Sequence, residues 1–296
     1  MSRLSQYFSI SALMVVSSAA QAQYTASSAG PINSAGTFGD SGNGGFSGTY
    51  TGPSTIFSSF SFTGDLTSQM AGTWESDSAW NVTMPSSGFG YSFTPSGNGT
   101  YAGTVNVASS YNGLFWLNNN DVTKFDAFQN FDNGAGTDAV WNNVSMSYSG
   151  SVSPYANLGT FNQGASFTFD TVGSTGISDT EIALFTSTGT LVGTNDDIDA
   201  SANNLLSSLN SGVLANNKYI LVVGGYDSFF ASGVAIPGVD ASSFGAFNLN
   251  LNGSSVSTGS IASGEFKVYN FEVVPEPGTM AALGLGLATL LRRRRK

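Results

Sequence analysis

The sequence predicts an all-β protein built from two antiparallel β-sandwich modules of the jelly-roll type. Only 9% of its 296 residues are charged, against about 25% in an average soluble chain, and this shortage of Glu, Lys and Arg argues against helices. Hydrophobic residues make up 41% and aromatic residues 12%, which is enough for a packed core. Short runs that alternate apolar with small polar residues recur along the chain, separated by turn clusters. The length favours two modules over one.

The N-terminal segment, 1–22, is predicted to be a secretory signal peptide. An apolar stretch follows a basic start, and Ala20 and Ala22 form a small-x-small cleavage site for signal peptidase. Cleavage there would make Gln23 the new N-terminus. The next segment, 23–48, is rich in Gly, Ser and Asn and is predicted to be an irregular lead-in.

The two modules are predicted over residues 49–150 and 151–273. The strands predicted for the first are 56–62, 80–84, 90–93, 101–107 and 144–148. Those predicted for the second are 167–169, 181–185, 219–223, 247–251 and 266–271. In 247–251 apolar residues alternate with asparagine, as in a half-buried strand, whereas 219–223 is apolar throughout, as in a central strand. Between 200 and 214 only a short helical turn is expected.

The order of motifs in the second module resembles the bacterial pre-peptidase C-terminal domain. The resemblance covers about residues 158–272 and rests on the segments 167–170, 179–185, 189–192, 195–197 and 219–225. Two features depart from the family's pattern: Ile198 and Asp199 replace a Gly-rich run, and 227–243 looks like an insertion. The resemblance implies a small β-sandwich that is not itself catalytic, and therefore an accessory or adhesive role.

The C-terminal segment, 274–296, combines three elements in order. A Pro-Glu-Pro-Gly break ends the preceding strand, an apolar helix-capable run follows at 279–291, and a basic end at 292–296 favours the cytoplasmic side. The residues concerned are Pro275, Glu276, Pro277, Gly278, Arg292, Arg293, Arg294 and Arg295. A helix over 279–291 would be about 20 Å long, short of the ~30 Å hydrocarbon core, so it is marginal as a permanent anchor and sufficient as a transient one.

This arrangement resembles the PEP-CTERM sorting signal of Gram-negative bacteria. In that family the tail is the substrate of an exosortase, a membrane transpeptidase-like enzyme, and the carriers tend to be associated with exopolysaccharide or biofilm. The resemblance implies an exported protein that is held transiently at the inner membrane. Its destination would be the cell surface, the outer membrane or the extracellular matrix. An ordinary tail anchor is the alternative interpretation.

Charge and composition exclude several classes of function. Between residues 23 and 274 the chain has three lysines, no arginine and 18 acids, a net charge of −15, which would repel a nucleic acid backbone. The chain has no Cys and no His. Disulfides, thiolate nucleophiles, Ser-His-Asp triads and His-ligated zinc are therefore excluded.

One acidic loop is a candidate calcium site, because hard oxygen ligands clustered on a turn suit Ca²⁺. Acids from a neighbouring strand would complete it. The candidate ligands are Asn195, Asp196, Asp197, Asp199, Asp179 and Glu181. The spacing fails as an EF-hand, since Ala200 stands where Gly is required and Leu206 where Glu is required. The alternative is a turn whose Asp side chains cap backbone amides.

The leading functional hypothesis is a non-catalytic surface or matrix protein. A carbohydrate-binding protein of the exopolysaccharide layer is the first alternative, with the tryptophans either as exposed sugar platforms or as core residues: Trp74, Trp80, Trp116 and Trp141. A glycosidase that uses paired carboxylates is the second, although acids on a solvated surface are the default. Its candidate acids are Glu75, Asp77, Asp121 and Asp126.

Overall fold

The computed structural model describes residues 23–69, 77–84, 89–93, 103–130, 136–150, 155–239 and 244–276. The predicted signal peptide, with Ala20 and Ala22, lies outside the described residues, as do the apolar run and the basic end of the tail. Over the described residues the protein is all-β, which confirms the predicted fold class. A 3-10 turn, Ala200–Ala202, lies within the segment where a helical turn is expected.

The strands of the described residues follow the chain in two groups. The first group is β1 (Gln23–Ser28), β2 (Ile32–Ser34), β3 (Gly45–Thr49), β4 (Thr55–Ser68), β5 (Ser78–Met84), β6 (Phe89–Phe93), β7 (Thr104–Leu117), β8 (Val122–Gln129) and β9 (Ala139–Ser149). The second group is β10 (Ala156–Asn162), β11 (Ser166–Asp170), β12 (Thr180–Thr186), β13 (Leu191–Asn195), β14 (Ser208–Val213), β15 (Asn217–Gly225), β16 (Phe229–Ala231), β17 (Val234–Ile236), β18 (Gly245–Leu251), β19 (Ser254–Ile261) and β20 (Lys267–Val274). Each predicted strand overlaps one of these.

The segment 23–48 contains three strands instead of an irregular lead-in. β1 and β2 pair antiparallel with β9, and β3 pairs antiparallel with β8. In β1, Ala26 is buried against the core while Thr25 and Ser27 face solvent. Small residues make this alternation weak, and their composition resembles that of a linker. The pairing partners lie about a hundred residues away, so no local pattern indicates the strands.

The first sandwich is formed by two sheets that share an aromatic core. A seven-stranded sheet has the order β1-β9-β4-β7-β17-β16 with β2 also on β9, and a four-stranded sheet has the order β3-β8-β5-β6. Phe62 of the larger sheet stacks on Trp80 of the smaller one, with ring centroids 4.1 Å apart, and Trp141 meets both edge-on. These rings are fully buried, so their area dominates the core.

The second sandwich pairs a five-stranded sheet, β10-β20-β15-β12-β13, with a four-stranded sheet, β14-β11-β18-β19. The pair β10–β20 is parallel and the other pairs of the five-stranded sheet are antiparallel. Phe167 and Phe169 on β11 pack with Phe271 on β20 in the core between the sheets. Asn248 on β18 points outward, as the alternation in 247–251 predicts.

A third apolar layer joins the two sandwiches. Leu114 and Trp116 on β7 pack against Phe185 on β12 and Val222 on β15, and the rings of Trp116 and Phe185 stack 4.7 Å apart. The five-stranded sheet is therefore buried on both faces, which explains why 219–223 is apolar throughout.

The insertion-like stretch 227–243 adds to the contact between the two sandwiches. It contains the hairpin β16–β17, which adds to the edge of β7 with Val234 opposite Phe115. Gly189, in the turn after β12, has a φ of +91°, and a Cβ there would lie 2.6 Å from Cγ of Trp116. The Gly233 N–H donates to the Gly189 carbonyl over 2.7 Å, so the glycine lets the turn close onto the hairpin.

We expect Trp116→Ala to lower the free energy of unfolding of the 23–276 chain by about 3–5 kcal/mol, because it empties the layer between the sandwiches. Phe38→Ala is the control, since Phe38 is 58% exposed and should cost much less. Urea unfolding followed by tryptophan fluorescence and circular dichroism measures both. Equal losses for the two variants would contradict the importance of this layer.

Candidate functional site

The predicted sorting residues begin where the last strand ends. β20 lies between β10 and β15, Val273 is fully buried, and the Gln163 N–H donates to the Val274 carbonyl over 2.7 Å. Pro275 is half-buried and Glu276 is exposed. The Pro-Glu-Pro break therefore follows a central strand directly, with no spacer between the folded body and the tail.

The rest of the predicted sorting signal falls outside the described residues: Pro277, Gly278, Arg292, Arg293, Arg294 and Arg295. The apolar run 279–291 lies there too. In the part of the chain that the structure describes, no helix has both the length and the apolar character of a membrane span.

The structure brings three of the predicted calcium ligands together. Asp179 precedes β12, and Asp196 and Asp197 follow β13, its antiparallel neighbour, in which Asn195 lies opposite Ile182. One carboxylate oxygen from each aspartate lies within 4.8 Å of the other two. The strand register thus brings Asp179 together with residues that are 17 and 18 positions away in the sequence.

A network of buried hydroxyl groups fixes the loops that carry these acids. Thr171, Thr180 and Ser207 are each fully buried. The Ser207 N–H donates to both threonine hydroxyls, at 3.0 and 2.9 Å, and the Ser207 hydroxyl donates to the Asp196 carbonyl at 2.7 Å. This network fixes the backbone of the acidic loop against the start of β12.

Glu181 lines an open pocket of about 290 Å³ beside this cluster, together with Asp196 and Ser228. Its side chain is buried, with 8% of its surface exposed. Burial, followed by the charges of Asp196 and Asp179, raises the pKa of Glu181 to about 8, against the backbone amides of Asp227 and Ser228, which lower it. This carboxyl group is therefore largely neutral at pH 7.

The side chains of Asn195 and Asp199 form hydrogen bonds with the backbone that account for their positions without a calcium ion. Asn195 Oδ1 accepts from the Ser208 N–H at 2.6 Å, and its Nδ2 donates to the Asp197 carbonyl at 3.2 Å. Asp199 Oδ1 accepts from the Ser201 hydroxyl and from the Ser201 and Ala202 amides, and so caps the 3-10 turn. These bonds, the one from the hydroxyl first, lower the pKa of Asp199. For these two residues the structure agrees with the capped-turn alternative.

The spacing of the three aspartates suits a hard divalent cation. Ca²⁺ binds oxygen at about 2.3–2.6 Å, so two ligand oxygens on opposite sides of the ion lie about 5 Å apart. This distance is close to the 4.8 Å within which the three aspartate oxygens lie of one another. The ion usually takes six to eight oxygens, so water would supply several of them and the affinity would be low, ~10⁻⁴–10⁻³ M.

The other sequence candidates take structural roles where they are described. Trp80, Trp116 and Trp141 are core residues with 1% exposure or less, while Trp74 lies outside the described residues. Among the candidate acids, Asp126 forms an ion pair with Lys124 at 2.7 Å, and Asp121 accepts from the Asn118 N–H at 2.8 Å. Asp77 directly precedes β5, and Glu75 lies outside the described residues.

Comparison with known proteins identifies the tail. The family model of the PEP-CTERM protein-sorting motif matches residues 273–296, and no curated protein matches the chain. The match begins inside β20 and covers the elements on which the sequence prediction rests. The chain therefore carries a PEP-CTERM signal, which implies an exported protein that an exosortase sorts, first anchored in the membrane and then cleaved. The resemblance of 158–272 to the pre-peptidase C-terminal domain stays a prediction.

We expect the stability of the 23–276 chain to fall as the pH rises from about 4.5 to about 8. Unfolded Glu181 loses its proton near 4.5 while the folded group keeps it to about 8, so in this window the folded state binds more protons. Urea midpoints at pH 5 and pH 8 in EDTA measure the effect. Glu181→Gln should flatten the dependence and the exposed Glu265→Gln should keep it; equal slopes would contradict the assignment.

Calcium should stabilise the same chain. At about 10 mM Ca²⁺ the expected affinity gives a rise of about 1.4–2.7 kcal/mol over EDTA, measured by thermal melting at pH 7.5. The double variant Asp196→Asn, Asp197→Asn should lose this rise. Asp199→Asn should keep both the cap and the rise, because asparagine still accepts at the N-cap and Asp199 lies outside the cluster. An undiminished rise in the double variant would show that calcium binds elsewhere.

Proposed function

We propose that this protein is a non-catalytic component of the bacterial cell surface or extracellular matrix, associated with exopolysaccharide or biofilm. The observation that supports it is a PEP-CTERM motif joined without a spacer to a folded all-β body. Signal peptidase would release Gln23 as the new N-terminus, and an exosortase-type enzyme would process the tail. The body would then reach the outer membrane surface or the matrix.

The acidic pocket is the observation that favours a carboxylate-dependent glycosidase instead. Glu181 has the raised pKa of a general acid, and Asp196 lies beside it. One fact weighs against catalysis: the Glu181 carboxyl group already accepts from two backbone amides. Incubation with exopolysaccharide should release no reducing sugar. Release that disappears in Glu181→Gln would contradict the non-catalytic proposal.

A hydroxyl-rich sheet face favours exopolysaccharide binding as a second candidate function. On the outward face of the seven-stranded sheet, Thr25, Ser147, Ser61 and Ser110 lie opposite one another across four neighbouring strands, which are about 4.8 Å apart. Thr25 and Ser147 hydroxyls bond over 2.8 Å, as do two similar pairs on this face. These four strands are described throughout, and Asp65 is the one charged residue on their outward face. Such a neutral face suits a neutral polyhydroxylated polymer.

The exported protein should begin at Gln23 and lack Arg292 to Lys296, as intact-mass measurement would show. Glu276→Gln should leave the tail in place if the Pro-Glu-Pro break is what the exosortase reads. Glu272→Gln is the matched control, because it lies four residues upstream within β20 and outside the motif. A mature mass that retains the full tail would leave only the tail-anchor interpretation.

Binding of the protein to its own exopolysaccharide should depend on the hydroxyl-rich face. Thr63→Asp places a second carboxylate at the centre of that face and should reduce co-sedimentation with the polymer. Thr258→Asp adds the same charge to the exposed strand β19 of the second sandwich and should have no effect. Equal binding by both variants would remove this second candidate function.

A further inference from the structure

The tail holds the second sandwich close to the membrane at one defined end. β20 ends at Val274, whose carbonyl is hydrogen-bonded to Gln163, and the apolar run starts at Thr279. Five residue steps span at most about 18 Å even when fully extended. A body tethered this closely must turn the end at which β20 stops towards the lipid.

That end, called here the tail-side end, consists of four turns. They join β10 to β11, β12 to β13, β14 to β15 and β18 to β19, over residues 163–165, 187–190, 214–216 and 252–253. The register places them together, since Val213 lies opposite Ser166 and Asn217 lies opposite Val273.

None of these turn residues is charged, and most are exposed. Of the charged residues described between 155 and 276, Lys218, Glu272 and Glu276 lie near these turns. The first sandwich adds Asp121 nearby, because Asn118, which that acid binds, also donates to the Thr188 carbonyl at 3.1 Å. The tail-side end thus carries one positive and three negative charges, and it is the less acidic end of the sandwich.

The opposite end of the sandwich carries most of its acids. Eight of the ten acids described between residues 155 and 276 lie there, at strand ends and in loops far from Val274: Asp170, Asp179, Glu181, Asp196, Asp197, Asp199, Asp227 and Glu265. The nine-residue strand β15 separates the two ends by about 30 Å. This separation exceeds the Debye length of about 8–10 Å. The acids therefore avoid repulsion by anionic headgroups when the tail-side end faces the membrane and the acidic end points away from it.

We infer that, while the tail is in the membrane, the tail-side end of the second sandwich lies against the lipid surface and the acidic end points away from it. The inference rests on the proposed sorting function, because it requires the tail to be anchored. A lipid surface suits this end since small polar side chains and the exposed Val213 can approach headgroups without burying a charge.

Single-cysteine labelling of the chain from Gln23 to Lys296 tests this orientation, because the protein has no other cysteine. Ala165→Cys places a fluorophore at the tail-side end and Ala262→Cys places one at the acidic end; both alanines are exposed turn residues. The proteins are reconstituted into anionic vesicles, without any enzyme, whose headgroups carry a quencher. We expect several-fold stronger quenching at residue 165 than at residue 262.

A charge variant and a flotation assay distinguish a failure of the tail anchoring from a failure of the lipid-facing orientation. Adding Asn216→Asp and Asn217→Asp should weaken quenching of the Ala165→Cys label in anionic vesicles and leave it unchanged in neutral ones. Protein that does not float with vesicles would overturn the tail anchoring itself. Protein that floats with equal quenching at both ends, or with unequal quenching only after exosortase is added, would overturn the lipid-facing orientation alone.

Discussion

The apolar layer between the two sandwiches is the contact on which the rest of the structure depends. The chain has no cysteine and few charges, so burial must hold it together. Trp116 and Phe185 cover one face of the five-stranded sheet, and the core of the second sandwich covers the other. β20 belongs to this sheet and so does the start of β12, so the sorting tail and the acidic pocket both take their positions from it.

Sequence patterns predict most strands with strong alternation, although not β8, and miss those made of small residues. Residues 247–251 and 219–223 carry enough Leu, Phe and Val to identify both the strand and its burial. β1 and β19 consist largely of small residues, Ser, Thr, Ala and Gly, whose side chains bury too little area to produce a hydrophobic period. The hairpin β16–β17 has apolar residues, yet no local signal shows that its partner is β7.

The candidate sites also differ in how much of each can be predicted from the sequence. The sorting motif is linear, so its residues are readable in order without any fold. The acidic cluster needs a register: spacing alone groups Asp197 with Asp199, whereas the pairing of β12 with β13 brings in Asp179 and leaves Asp199 as a cap. The charge polarity of the second sandwich is invisible in the sequence, because its acids are spread over about a hundred residues and meet at one end only when the strands reverse direction.

The central position of β20 also ties folding to export. A secreted chain crosses the membrane from its N-terminus, so β20 is the last strand of the sheet to emerge. Until it arrives β10 has no partner in the five-stranded sheet, and β15 presents an open edge. Closure of the sheet and delivery of the sorting motif are therefore one event, because Val273 belongs to both. A chain truncated before β20 would lack the tail and the closing strand together, and so would be left both unsorted and with an open sheet edge at β15.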